Sequence, residues 1–167
     1  MADLRGEQLK DSYQNLVTRG TGSTPIEDGN GSPYFYEEGT WSPTFETSGE
    51  DFDSISYTDQ SGTYIKNGRL VIISFDLEID NVTIGDAGGN LLLANFPFLI
   101  GNQHCSLGVV FASDFKDRVP FSVQARLENN NGFFRQIDQS TPFIDTVAPS
   151  NVQSGTRVMG SGVIIIE

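Results

Sequence analysis

"SGTYIKNGRLVIISFDLEID", residues 61 to 80, decides the fold. Val71, Ile73, Phe75, Leu77 and Ile79 occupy alternate positions, with Leu70, Ile72, Ser74, Asp76, Glu78 and Asp80 between them. Successive side chains of a strand point to opposite faces. One face of this strand is therefore core throughout, and the other changes from apolar to acidic along its length. Asn67-Gly68, between "TYIK" and "RLVI", has the residue types of a two-residue type I′ hairpin, since both tolerate positive φ. A strand of about 10 to 12 residues runs roughly 35 to 40 Å, which is long for a small domain.

Moving outward, further strands are expected near 91–94, 105–111, 120–128, 133–137 and 156–166. "FSVQARLE" alternates, with Phe121, Val123, Ala125 and Leu127 expected inward, and "NNNG" at 129–132 links it to "FFRQI". The closing "TRVMGSGVIIIE" is β-branched, with Gly160 and Gly162 thinning its middle. Short strands, regular turn signals and almost no helix predict a mainly β protein, an antiparallel β-sandwich or jelly roll. There is no internal repeat and no heptad seam.

The first forty residues read differently. A helix is expected over 3–18, where Leu9, Tyr13, Leu16 and Val17 share a face, with Asp3 as cap and Gly20 as stop. Gly6 weakens its first turn. Residues 19–39 hold five glycines and two prolines with no period, the composition of an extended arm. Ile26, Tyr34, Phe35 and Tyr36 are its apolar anchors. Trp41, the sole tryptophan, is expected to open the folded domain and to be buried, with Pro43 marking an edge strand. The expected division is an arm over 1–38 and a β domain over 39–167.

With 167 residues, 37% of them hydrophobic, the chain can build one core. Ten Lys+Arg against 22 Asp+Glu give a net charge of -12, which argues against nucleic acid and against an anionic membrane surface. "LLLANFPFLIG", residues 91–101, is too short to span a bilayer. "MADLRGEQLKDSYQ" carries no apolar signal core, so synthesis in a cytoplasm without export is expected. A single cysteine, Cys105, rules out an intrachain disulfide and a thiolate metal cluster.

Catalytic signals are weak. His104 is the one histidine and neighbours Cys105, but adjacent strand residues face opposite ways and make no dyad. No GxSxG, HExxH or P-loop occurs. Glu50, Asp51 and Asp53 cluster in a loop, and Asp76, Glu78 and Asp80 share a strand face; neither has calcium-loop spacing, and "DGNGS" at 28–32 lacks the remaining ligands. A solvated acidic face is the default reading. The expectation is a non-enzymatic protein with no cofactor or metal.

"GTWSPTF" at 39–45, "GTYIKNGRLVIISFDLEI" at 62–79 and "NFPF" at 95–98 resemble a β domain recurrent in appendage proteins of tailed bacteriophages. Gly39, Trp41 and Pro43 match a G-x-W-x-P opening. Gly62, Tyr64, Gly68 and Val71 match a G-x-Y-x-x-x-G-x-x-V hairpin, and Phe96-Pro97 an aromatic-proline step. The resemblance implies a virion structural protein, a homotrimeric tail fibre or surface spike. Its N-terminal arm would attach to other virion proteins and its outward β domain would reach a host surface glycan. A capsid decoration, cement or head-fibre protein is the alternative.

Overall fold

The computed structural model describes residues 36–98, 105–126, 131–137 and 144–166. The helix expected over 3–18 and the anchors Leu9, Tyr13, Leu16, Val17, Ile26, Tyr34 and Phe35 lie outside the described residues, as does His104.

The described chain is mainly β. Its strands are β1 (Tyr36–Trp41), β2 (Thr44–Thr47), β3 (Ser54–Asn67), β4 (Leu70–Thr83), β5 (Leu91–Ala94), β6 (Cys105–Ser113), β7 (Ser122–Arg126), β8 (Asn131–Ile137), β9 (Ile144–Thr146) and β10 (Arg157–Ile165). All the pairings are antiparallel. A sandwich or jelly roll would divide the ladder between two sheets. Here one unbroken path runs β1-β3-β4-β10-β6-β7-β8-β5-β2, with β9 beside β8. The result is a curled antiparallel half-barrel.

The curl follows from connectivity. β1 and β2 are the two ends of the path, yet only Ser42 and Pro43 separate them in the chain. The sheet must therefore bend until its edges approach. Side chains close the seam that no strand ladder closes. Asn95 donates from Nδ2 to the Ser42 carbonyl (2.7 Å), Gln60 from Nε2 to the Pro43 carbonyl (3.0 Å), and the Phe45 N–H donates to the Tyr57 hydroxyl oxygen (2.8 Å). Pro43 needs no donor at this edge crossing, which is why proline fits there.

β3 and β4 each run 14 residues and form the longest hairpin. Its turn differs from the expected one. Asn67 pairs with Leu70, so Gly68 and Arg69 are the central residues, and only Gly68 has positive φ, at 58°. Glycine with positive φ at the first central position is the type II′ pattern. The one-residue slide of the turn moves each cross-strand partner by two residues and leaves the faces unchanged. Val71, Ile73, Phe75, Leu77 and Ile79 are accordingly all buried. They meet Leu91 and Leu93 of β5, Phe45 of β2, Val123 of β7 and Phe134 of β8 in one core. Phe121, expected inward, is exposed; it lies just ahead of β7. Ala125 and Leu127 have side chains outside the described part.

Tyr36, Glu37 and Glu38, the end of the expected arm, belong to β1 and pair with Asn67, Lys66 and Ile65. Trp41 is buried as expected, at 7% exposure, but it closes the first described strand rather than opening the domain.

Candidate functional site: the two faces of the β1-β3-β4-β10 sheet

The G-x-W and G-x-Y elements converge on the inner face. The β1–β3 register sets Gly39 opposite Tyr64 and Trp41 opposite Gly62. Each glycine thus faces an aromatic from the neighbouring strand. A Cβ at Gly39 would stand 2.6 Å from the Tyr64 hydroxyl, and one at Gly62 would overlap Trp41 Nε1. Both are far inside van der Waals contact, so the glycines make room for the rings. Gly62 also pairs with Phe75, and Phe75 with Gly160, whose Cβ would meet the Phe75 ring at 2.5 Å. Across four strands the row reads Trp41, Gly62, Phe75, Gly160: large, small, large, small. Such alternation lets a narrow concave face fill without clashes.

The third motif element completes the row. Phe96 stacks on Trp41, with centroids 5.3 Å apart and an 18° interplanar angle. Trp41 donates from Nε1 to the Ser74 carbonyl at 3.0 Å. Pro97 follows, partly buried. Tyr64 meets Phe98 edge-on at 4.8 Å and donates its hydroxyl to Glu37 Oε1 at 2.7 Å. That bond holds the Glu37 carboxyl below the usual range. Lys66 sits 5.3 Å from the Phe98 ring centroid. Phe98 carried no signal as a partner in the sequence, because nothing local ties it to β3. Tyr36 is exposed and donates its hydroxyl to Glu38.

The outer face of the same strands carries the gradient expected from β4. Its hairpin end is aliphatic: Ile65 of β3 is opposite Ile72 of β4, which is opposite Val163 of β10, and Leu70 is opposite Ile165. A hydroxyl row follows, Thr63 bonded to Ser74 at 2.7 Å, with Ser161 alongside. The far end is charged. Arg157 of β10 binds Asp76 with two bonds, Nε to Oδ1 at 3.1 Å and Nη2 to Oδ2 at 2.7 Å. It also reaches Glu78 at 3.0 Å and Asp59 at 3.5 Å. The hydrogen bonds that Arg157 donates to Asp76, more than any other influence, raise the guanidinium's pKa.

Asp80 lies apart from that ion cluster and accepts from Ser56 and Asn81. Asp51 accepts from the Phe52 N–H, and Asp53 lies against Gly85. Among the described residues no three His, Cys, Asp or Glu side chains gather as a metal-holding group, and no helix is long and apolar enough to cross a membrane. Ile65, Val163, Ile165 and Arg157 were not legible as site residues. Their place on the face depends on which strands flank β4, and no local pattern gives that.

No protein-family model matches the chain, and no curated protein matches it. Among solved structures it is similar to the crystal structure of Dettilon tailspike protein (gp208), with a TM-score of 0.60 and 17% sequence identity. The match covers 80% of this chain and 25% of the tailspike, so the chain spans about a quarter of that protein's length. In fold, this chain resembles a β domain of a phage tail appendage protein.

Proposed function

We propose that the chain is a non-enzymatic structural subunit of a bacteriophage virion. In this reading it is a trimeric appendage of the tail fibre or spike type, carried on the particle by its N-terminal arm and presenting its β domain to the host surface. The observation that carries the reading is the fold shared with a tailspike over 80% of the chain. Asp76 and Glu78, one pair of carboxylates that share a strand face, are both tied to Arg157, so this pair lacks the free carboxyls that a general acid and base use. Three linked copies raise the effective concentration of a weak glycan contact at the cell surface, which is how such an appendage would hold on.

Since Tyr36–Glu38 belong to β1, the attachment arm in this reading is 1–35. The test is to label the protein on intact particles and to compare the full chain with residues 36–167 alone. Label on the tail, with the shortened protein folded yet absent from particles, is the expected result. Label over the head would sink the tail reading in favour of decoration, and normal incorporation of the shortened protein would remove the arm's role.

A further inference from the structure

In an asparagine followed by glycine, the side-chain amide is open to attack by the main chain, because no side chain on the second residue hinders its nitrogen. Two such dipeptides lie among the described residues, Asn67-Gly68 and Asn131-Gly132; a third, Asn30-Gly31, lies outside them. The fold treats the two oppositely. Asn67 and Gly68 are both exposed, at the tip of the β3–β4 hairpin. Asn67 pairs with Leu70, and the Gly68 N–H, turned out of the ladder, has no acceptor among the described residues. A Cβ at Gly68 would meet nothing within 4 Å, so the space around the turn is open. Gly132 is buried and lies between Ala125 of β7 and Leu93 of β5, so a strand covers its N–H on either side.

We infer that Asn67 is a site of spontaneous covalent modification, converted to aspartate and isoaspartate while the fold protects Asn131. The Gly68 nitrogen bonds to Asn67 Cγ, the Cγ–Nδ2 bond breaks, and the Gly68 proton leaves with the amide as ammonia. Water then opens the cyclic imide at one of its two carbonyls. Opening at Cγ restores the main chain and gives aspartate. Opening at the main-chain carbonyl routes the chain through Cγ and gives isoaspartate, with one more carbon in the backbone. Either product carries one new carboxylate, which adds to a net charge already at -12. An extended residue must turn about its Cα–C bond before the nitrogen reaches Cγ, so opening of the turn gates the step. A hairpin tip opens at little cost, whereas a paired core residue opens only with its sheet. The new carboxylate stands between Lys66, which reaches Glu37 of β1 at 3.5 Å, and Arg69, which donates from Nε to the Ile166 carbonyl at 2.8 Å. It competes for both cations and so loosens the hold of the tip on β1.

The test is incubation of the full chain at mildly alkaline pH in heavy-oxygen water, followed by mass mapping of its chymotryptic peptides. The folded chain should take up label at Asn67 at least about tenfold faster than at Asn131. In guanidinium chloride, where no ladder shields Gly132, the two rates should converge. Asn67→Gln, whose longer side chain closes the ring far more slowly, should lose the fast uptake. Converted protein should exchange its β1 amide hydrogens faster than fresh protein. No uptake at Asn67, equal uptake at Asn67 and Asn131 in the folded chain, or fast uptake that persists in Asn67→Gln each overturns the inference. A ratio unchanged in denaturant would assign the difference to local sequence and overturn the protection by the fold. Unchanged β1 exchange after conversion would overturn the loosening of the tip.

Discussion

The two faces of the β1-β3-β4-β10 sheet share a backbone but not a logic. On the inner face Trp41, Gly62, Phe75 and Gly160 interlock across four strands, and changing one side chain displaces the next. On the outer face no such ring-into-glycine interlock occurs: aliphatic, hydroxyl and charged zones follow one another along β3, β4 and β10, with Glu38 of β1 opposite Ile65 and with Ser61 and Met159 flanking Asp76. The inner face is constrained by the curl of the sheet. The outer face has little to do with folding, so its composition reports on what lies outside the chain.

The inner interlock should produce the largest effects. Trp41→Ala removes a buried ring, its stack on Phe96 and its bond to the Ser74 carbonyl, and should cost about 3–5 kcal/mol in urea unfolding followed by circular dichroism. Gly62→Ala drives a methyl group into the same indole and should cost about 1–3 kcal/mol. The two should not add. Without the ring the methyl group has room, so the double variant should lose clearly less than the sum. Additivity within about 0.5 kcal/mol would falsify the interlock.

Adjacent residues on β4 sharpen the comparison. Ile73 is buried in the core and Ile72 is half exposed. Ile73→Ala should cost about 2–5 kcal/mol. Ile72→Ala, measured on dilute monomer, should stay within about 0.5 kcal/mol. Similar losses at the two positions would show that the outer face shares the burden of folding after all.

Much of this was legible in the sequence, for local reasons. The period of two in β4 fixes which face is core, and it survives the slide of the turn from Asn67-Gly68 to Gly68-Arg69 because face depends on parity alone. The glycine-aromatic spacing in G-x-W and G-x-Y was visible as a motif. Its meaning was not, since that needs Gly39 opposite Tyr64, a pairing across 25 positions. The insertion of β10 between β4 and β6 was equally hidden, because the last strand carries no local mark of its neighbours. Without that order Val163 and Ile165 cannot be seen beside Ile72 and Leu70, nor Arg157 beside Asp76.

The seam between β2 and β3 gives a pH-dependent effect of intermediate size. Burial pushes the Tyr57 phenol up to about 12, and its oxygen accepts from the Phe45 N–H. An unfolded tyrosine titrates near pH 10. The folded state holds the proton more tightly, so this contribution is whole below about pH 10 and is lost as pH rises toward 12. Tyr57 keeps some solvent contact, so the loss should be on the order of 1–2 kcal/mol. Tyr57→Phe should be less stable at neutral pH, having orphaned the Phe45 N–H, and should lack the alkaline step. An unchanged step in that variant would assign it to another group.

The smallest effect is expected at the charged end of the outer face. Arg157 holds Asp76, Glu78 and Asp59, carboxylates drawn from two neighbouring strands. Arg157→Gln keeps much of the side-chain stem and removes the cation, leaving three like charges on one patch of sheet. The side chains are partly exposed at the sheet surface, from 20% at Asp76 to 49% at Asp59, and surface salt bridges contribute little while repulsion is screened within about 10 Å at 0.1 M salt. The variant should therefore melt slightly below wild type in low salt, and the gap should close as salt is raised. A gap of the same size at low and high salt would mean that Arg157 acts through packing of its stem across β4 and β10. The charged zone would then belong with the interlocked inner face, and the division between the faces would not extend along the whole strand.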